Sequence, residues 1–200
     1  MTVRNAVEIV ARNFPNISQK EIIFRLDAAQ KLFARVTRCL VQWIDYTPSG
    51  AWYSLDGYMQ SLIGILFLDT NGKIIDPETL DIQYTVIDRH LVFVDSTTGE
   101  ELSTWPANVV TVRLRVRAIP ADVTAIGGTF AILDDFHDAL VSKVMADLYM
   151  LTPNTGGALD LRREHIATWA RILIEGKRYA NTAADDLLTH SAVVSPYAGS

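Results

Sequence analysis

The sequence predicts an α+β protein: a helical bundle formed by N- and C-terminal helix pairs, with an inserted antiparallel β-sheet. Three observations carry this. Apolar residues recur at helical spacing before about residue 45 and again after about residue 134. Between 50 and 120 the period falls to two, and Gly, Pro, Asn and Asp punctuate short aliphatic and aromatic runs. Nothing helical separates those runs, so the strands lack crossover helices and should pair antiparallel, folded as a small sandwich or sheet pair.

Residues 1–45 read as the N-terminal helices. Val3, Val7 and Val10 share a helical face, and Pro15 should end that helix by Phe14. Ser18-Gln19-Lys20-Glu21 fits a capping box, in which the serine hydroxyl accepts from the amide three residues on. Ile22, Leu26, Ala29, Phe33, Val36, Leu40 and Trp43 then follow at spacings of three and four, one apolar stripe of about six turns. Lys20, Asp27, Lys31, Arg35 and Arg38 occupy the other face.

Residues 50–120 read as the inserted β region. The run 62–68 leads into Asp69-Thr70-Asn71-Gly72, where Asn-Gly suits a hairpin turn, and Lys73-Ile74-Ile75-Asp76 is the returning strand. Strands are expected at 84–86 and 91–94, with a turn at Thr97-Thr98-Gly99. The cleanest alternation follows: Val110, Val112, Leu114 and Val116 on one face, Thr111, Arg113, Arg115 and Arg117 on the other. Residues 121–133 read as a linker, most mobile at Gly127-Gly128. Residues 134–180 form a helical hairpin. Leu133, Phe136, Leu140, Val144, Leu148 and Leu151 stripe its first helix, which Pro153 and Gly156-Gly157 end. Leu161, His165, Trp169, Ile172, Gly176 and Tyr179 stripe its second. Residues 181–200 read as a terminal arm.

The composition excludes several classes. A chain of 200 residues that is 49% hydrophobic and 20% charged can bury a full core, which rules out disorder as its main state. One cysteine makes no disulfide or thiolate-zinc framework, and Cys39, inside the apolar run 38–41, reads as a buried thiol. A net charge of -5 argues against a dedicated nucleic-acid binder. No secretory leader is visible and no apolar run approaches membrane-spanning length, so a soluble, intracellular product is expected.

No phosphate loop, dinucleotide fingerprint, nucleophile elbow or His-Glu-x-x-His stands in the chain, so no catalytic residue, metal or cofactor is assigned. Asp134 and Asp138, four apart around His137, are the best candidate metal ligands. Acids at a helix N-terminus with His137 at the surface explain them more simply. Asp76/Glu78 and Asp185-Asp186 read as solvated turn or cap residues. His165 beside Trp169 reads as a core or interface histidine, because no nucleophile accompanies it. Trp43, Trp52, Trp105 and Trp169 fall in four different elements and suit core packing or protein contacts. The ladder Arg113, Arg115, Arg117 admits three readings: a solvated face, contact with an acidic partner subunit, or contact with a phosphate backbone. Arg162, Arg163, Trp169, Lys177 and Arg178 on the last helix complete the candidate protein interface.

The order of elements resembles the head–tail adaptor (connector, neck) proteins of tailed bacteriophages. The resemblance lies in three stretches: the strand and proline Val110-Thr111-Val112-Arg113-Leu114-Arg115-Val116-Arg117-Ala118-Ile119-Pro120; the helix from Phe136 through Tyr149; and the helix from Arg163 to Tyr179, with Trp169 in the aromatic place and Glu175-Gly176-Lys177-Arg178 as its charged ending. The linker departs from the family pattern, with Ala125-Ile126-Gly127-Gly128 in place of an acidic, proline-rich stretch. The resemblance implies a structural virion protein at the head–tail junction, assembled in the host cytoplasm and without enzymatic activity. It would form a ring, about twelve copies on a portal. Its partners would be other copies, the portal protein and the next neck or tail protein, with DNA passing unread through the lumen and no membrane. A tail-completion or tail-terminator component is the alternative, and a metal-dependent enzyme using Asp134 and Asp138 a more distant one.

Overall fold

The computed structural model describes residues 1–55, 59–152 and 156–188, with the side chains of Glu78 and of residues 183–188 outside that description. It is an α+β fold: two N-terminal and two C-terminal helices with antiparallel β-structure inserted between them. The chain divides into two compact units, Met1–Leu40 with Ile119–Thr182, and Val41–Ala118.

The helical unit builds one core from two distant stretches of sequence. Helix α1 (Val3–Asn13) buries Val3, Ala6, Val7 and Val10 and ends before Pro15. Helix α2 (Gln19–Thr37) starts as its sequence signals, with the Ser18 hydroxyl accepting from the Glu21 amide at 3.2 Å, while the Glu21 carboxylate pairs with Arg25. It buries Ile22, Leu26, Ala29 and Phe33.

The helix stops earlier than its apolar stripe suggests. Arg38 takes a left-handed conformation, φ 58°, and its amide donates to the Ala34 carbonyl. The Cys39 amide donates to the Thr37 hydroxyl, and Val36, a stripe residue, lies exposed. Residues 41–46 form a strand, so Trp43 belongs to the sheet. Cys39 is buried, as expected, and burial pushes its thiol up from the ordinary value.

Helix α3 (His137–Leu151) follows a 3₁₀ turn at Asp134–Phe136 and buries Leu140, Val144 and Leu148, while Leu133 and Leu151 of its expected stripe are exposed. His137 is not at the surface. It is 3% exposed, with ring nitrogens 2.8 Å from the Met1 carbonyl oxygen and 2.9 Å from that of Ile132, and Phe130 packs edge-on against it. Nor is 121–133 a loose linker. Val123, Phe130 and Ile132 are buried, the Val123 amide donates to the Asp27 carboxylate at 2.8 Å, and the Ala131 amide donates to Gln30 Oε1 at 2.7 Å. Lys31 bridges Asp122 and Asp27, and those two carboxylates, Asp122 first, hold its ammonium above the ordinary value.

Helix α4 (Gly156–Leu188) runs past residue 180 into the stretch read as an arm; Ala183, Ala184, Leu187 and Leu188 are good helix formers without an intervening proline. Pro153, the expected breaker before it, and residues 189–200 lie outside the described residues. α4 meets α2 where a Cβ on Gly176 would lie 2.8 Å from Thr37 Cγ2 and 2.9 Å from Phe33 Cζ.

The inserted unit has two antiparallel sheets. Strands β1 (Val41–Tyr46), β7 (Thr111–Ala118), β3 (Met59–Leu68) and β4 (Ile74–Ile75) lie in that order in one sheet; β2 (Trp52–Ser54), β6 (His90–Asp95) and β5 (Ile82–Ile87) form the other. They enclose one core that includes Tyr53, Phe67, Phe93, Leu91, Val112 and Leu114, with Trp105 packed edge-on against Phe93. The 69–73 hairpin differs from a two-residue Asn-Gly turn. Asp69 accepts the Gly72 amide on its carbonyl and the Asn71 and Lys73 amides on its carboxylate, and among these residues Gly72 alone takes a positive φ, +74°. Between β5 and β6 the two-residue turn is Asp88-Arg89, both at positive φ.

Alanine at position 176 tests the helical packing. A helix-interior Gly→Ala change ordinarily stabilises by about 1 kcal/mol. Here the new methyl meets Phe33 and Thr37, an overpacking that costs about 1–3 kcal/mol. Gly176→Ala should therefore destabilise the protein in urea or thermal unfolding; a gain in stability would refute the close approach of α4 to α2.

Candidate functional site

The three arginines of β7 share the outer face of the first sheet because side chains alternate along a strand, Val112, Leu114 and Val116 being buried on the inner face. Val110, grouped with them by the alternation, precedes the strand and is exposed. Register decides what each arginine faces. Arg113 lies opposite Asp45, Arg115 opposite Trp43, and Arg117 opposite Val41 on β1. On the other flank they meet Leu66, Gly64 and Ser61 of β3, where two β-bulges shift the register between Met59 and Gly64.

The three guanidinium groups are in different states. Arg113 grips Asp45 with two bonds, Nε to Oδ1 and Nη2 to Oδ2, each 2.7 Å. Those bonds hold the Asp45 carboxyl below its ordinary value and the Arg113 group above its own. Arg115 is only 7% exposed, which corrects the picture of a uniformly solvated face. Its guanidinium carbon sits 5.6 Å from the centre of the Trp43 ring, within cation–π range. Burial, and then the charge of Arg117, pull it down from its ordinary value. Across the row Gly64 supplies no side chain, and a Cβ there would meet nothing within 4 Å. Arg117, half-buried, has no ion-pair partner among the described residues. Trp43 is 47% exposed beside them.

The candidates on α4 do not form a comparable cluster. Arg163 makes an exposed pair with Asp160 at 3.4 Å, and Arg162 Nη2 donates to Met150 Sδ at 3.6 Å. Lys177 and Arg178 are exposed. Trp169 is half-buried, edge-on to Phe33 at 5.6 Å, so it serves the helical core.

The remaining candidates make local contacts or lie outside the described side chains. Asp134, 81% exposed, lies 3.6 Å from the Met1 ammonium and 3.2 Å from His137 Nδ1. Among the described residues no three His, Cys, Asp or Glu side chains gather as metal ligands, and no helix is long and apolar enough to cross a membrane. Asp185 and Asp186 have side chains outside the description, as has Glu78. An apolar recess of about 650 Å³ between the 13–17 turn and α3–α4, lined by Phe14, Tyr149 and Leu161 among others, holds no charged side chain.

Sequence reading missed Asp45 and the partnership of Trp43 with Arg115. A signal was present: Val41-Gln42-Trp43-Ile44-Asp45-Tyr46 is a β-branched and aromatic run with period two, overshadowed by the helical spacing of Val36, Leu40 and Trp43.

No protein-family model matches the chain, and no curated protein matches it.

His165 stacks on Tyr149, 5.9 Å and 14° between rings, and burial pulls its imidazole below the ordinary value of 6.5. The unfolded chain then binds the proton more readily than the folded one. His165 therefore contributes stability that is complete above pH 6.5 and declines as pH falls through that value. Thermal unfolding from pH 8 to 5 should show this decline in the wild type and a smaller one in His165→Phe; equal declines would disprove it.

Proposed function

We propose that this chain is a structural virion protein of the head–tail junction of a tailed bacteriophage, joining the portal to the tail or the next neck ring. The observation that carries the reading is the arrangement of parts. Two helix pairs far apart in sequence share one core, and an antiparallel sandwich is inserted between them, as the sequence resemblance leads one to expect. The surface chemistry supports it further. The most organised group of candidate residues is an arginine–tryptophan sheet face, of a composition suited to protein contact, since Trp and Arg dominate the energetics of interfaces.

In this role the protein works by assembly. Copies associate through a heterologous interface that closes into a ring, and DNA passes through the lumen without base contacts. A net charge of -5 limits adhesion of phosphate to the protein. No residue needs a catalytic role. The Asp134/Asp138 alternative gains nothing, because Asp134 is already placed against the Met1 ammonium and His137.

Light scattering on the purified chain mixed with the portal protein of the same genome tests the assignment. A ring of about twelve copies of the 22.2 kDa chain adds about 266 kDa to the portal. An assembled portal that gains no mass at saturating chain would overturn the portal-adaptor reading.

A further inference from the structure

The sandwich distributes its charge unevenly. Residues 41–118 contain ten Asp and Glu against five Lys and Arg, and three of those five bases are Arg113, Arg115 and Arg117 on one sheet face. Among the described residues that face holds a single carboxylate, Asp45, which Arg113 already grips through both oxygens. The acids lie in the connections. One such stretch closes β6, where Asp95, Glu100 and Glu101 fall in a span, 90–112, that contains no Lys or Arg.

That turn is rigid. The Asp95 carboxylate accepts the amides of Thr97 and Thr98 at 2.8 Å each, the Asp95 amide donates to the Glu100 carbonyl, and Gly99 takes φ +72°. Asp95 is thus spent on the backbone. Glu100 and Glu101 are exposed and have no ion-pair partner among the described residues. A hydrogen-bonded loop carrying two adjacent carboxylates stands on the same unit as a basic face whose Arg117 has no ion-pair partner among the described residues.

We infer that the Trp43–Arg113–Arg115–Arg117 face of one copy receives the Asp95–Glu101 turn of a second copy. The two patches differ and are complementary, so the contact is head-to-tail, the kind from which rings are made. The absence of a side chain at Gly64 leaves room beside Arg115 for an incoming group. Exposed Trp43 supplies apolar area that desolvates the charges, which strengthens them. This inference rests on the ring assembly proposed above and names the surfaces that make it.

Charge exchange tests it. At low salt the mass of the wild-type chain, measured by light scattering, should rise with concentration above 22.2 kDa and fall back as salt is added. Arg117→Glu alone and the double variant Glu100→Arg/Glu101→Arg should each associate roughly a hundredfold more weakly, through like-charge juxtaposition. Mixed in equal amounts, the two should recover association, because each brings the partner that the other lacks. Arg117→Lys, which keeps the charge, should stay near the wild type, and circular dichroism should show every variant folded.

A wild-type chain that stays monomeric at low salt overturns the inference while leaving the portal-mixing result to decide the adaptor reading. Wild-type association undiminished in Arg117→Glu, or variants that do not rescue one another, overturns this interface alone.

Discussion

The helical unit depends on a constraint that the chain imposes on itself. Its core is assembled from residues 1–40 and 119–182, separated by the whole inserted sandwich. Helices of this length have little stability in isolation and need the opposite half to cover their apolar faces. Closing so long an insertion costs entropy, although the cost grows slowly with length. The returning chain is fastened where it first meets α2. Asp27 accepts the Val123 amide and the Lys31 ammonium, Lys31 reaches Asp122, and fully buried Gln30 accepts the Ala131 amide. These bonds satisfy backbone groups that would otherwise be buried without partners. They also place α3, so that Phe136 and Leu140 enter the core beside Phe33. His137 adds a second fastening through the carbonyls of Met1 and Ile132.

The sandwich uses its acids differently. Two of them, Asp69 and Asp95, do the same local work: each carboxylate accepts two amides of the turn that follows and prepares the glycine at positive φ that closes it. Part of the acidity of this unit is therefore turn chemistry rather than surface design. Asp45 is likewise committed, to Arg113. A net charge read from composition thus overstates the free negative surface, and placement says more about partners than the total does.

Much of the architecture was legible because single mechanisms acted alone. Pro15 ends α1, Ser18 caps α2, and the Val/Arg alternation of β7 leaves one reading of its faces. Legibility failed where two periods overlap. Val36, Leu40 and Trp43 continue the helical spacing of α2, and only the left-handed turn at Arg38 separates helix from strand. Arginine is not a residue that announces positive φ, and neither is the Asp88-Arg89 pair that closes β5 to β6. The 121–133 segment looked loose because its anchors, Asp27, Gln30 and Lys31, lie about a hundred residues earlier and carry no local pattern. The site suffered in the same way. The arginine ladder was visible, but its grading into a paired cation, a covered one and one unpaired among the described residues follows from β1, the strand hidden in the helical stripe.

That grading bears on which macromolecule the face suits. Nucleic-acid affinity without base reading comes from several cations, each releasing a counterion from phosphate, and it weakens steeply with salt. On this face Arg113 is neutralised by Asp45 and Arg115 is withdrawn beneath Trp43. Three arginines against one carboxylate leave about two net charges on the described face, too few to hold a duplex at physiological salt. A protein surface asks for something else: a few oriented donors next to an aromatic anchor, where exclusion of water strengthens each bond and where geometry rather than charge count selects the partner. Placing Asp45 against Arg113 removes long-range attraction for phosphate while fixing the fork of that arginine within the sheet. On the adaptor role proposed above, a surface that holds its neighbours while DNA moves past it would need that combination.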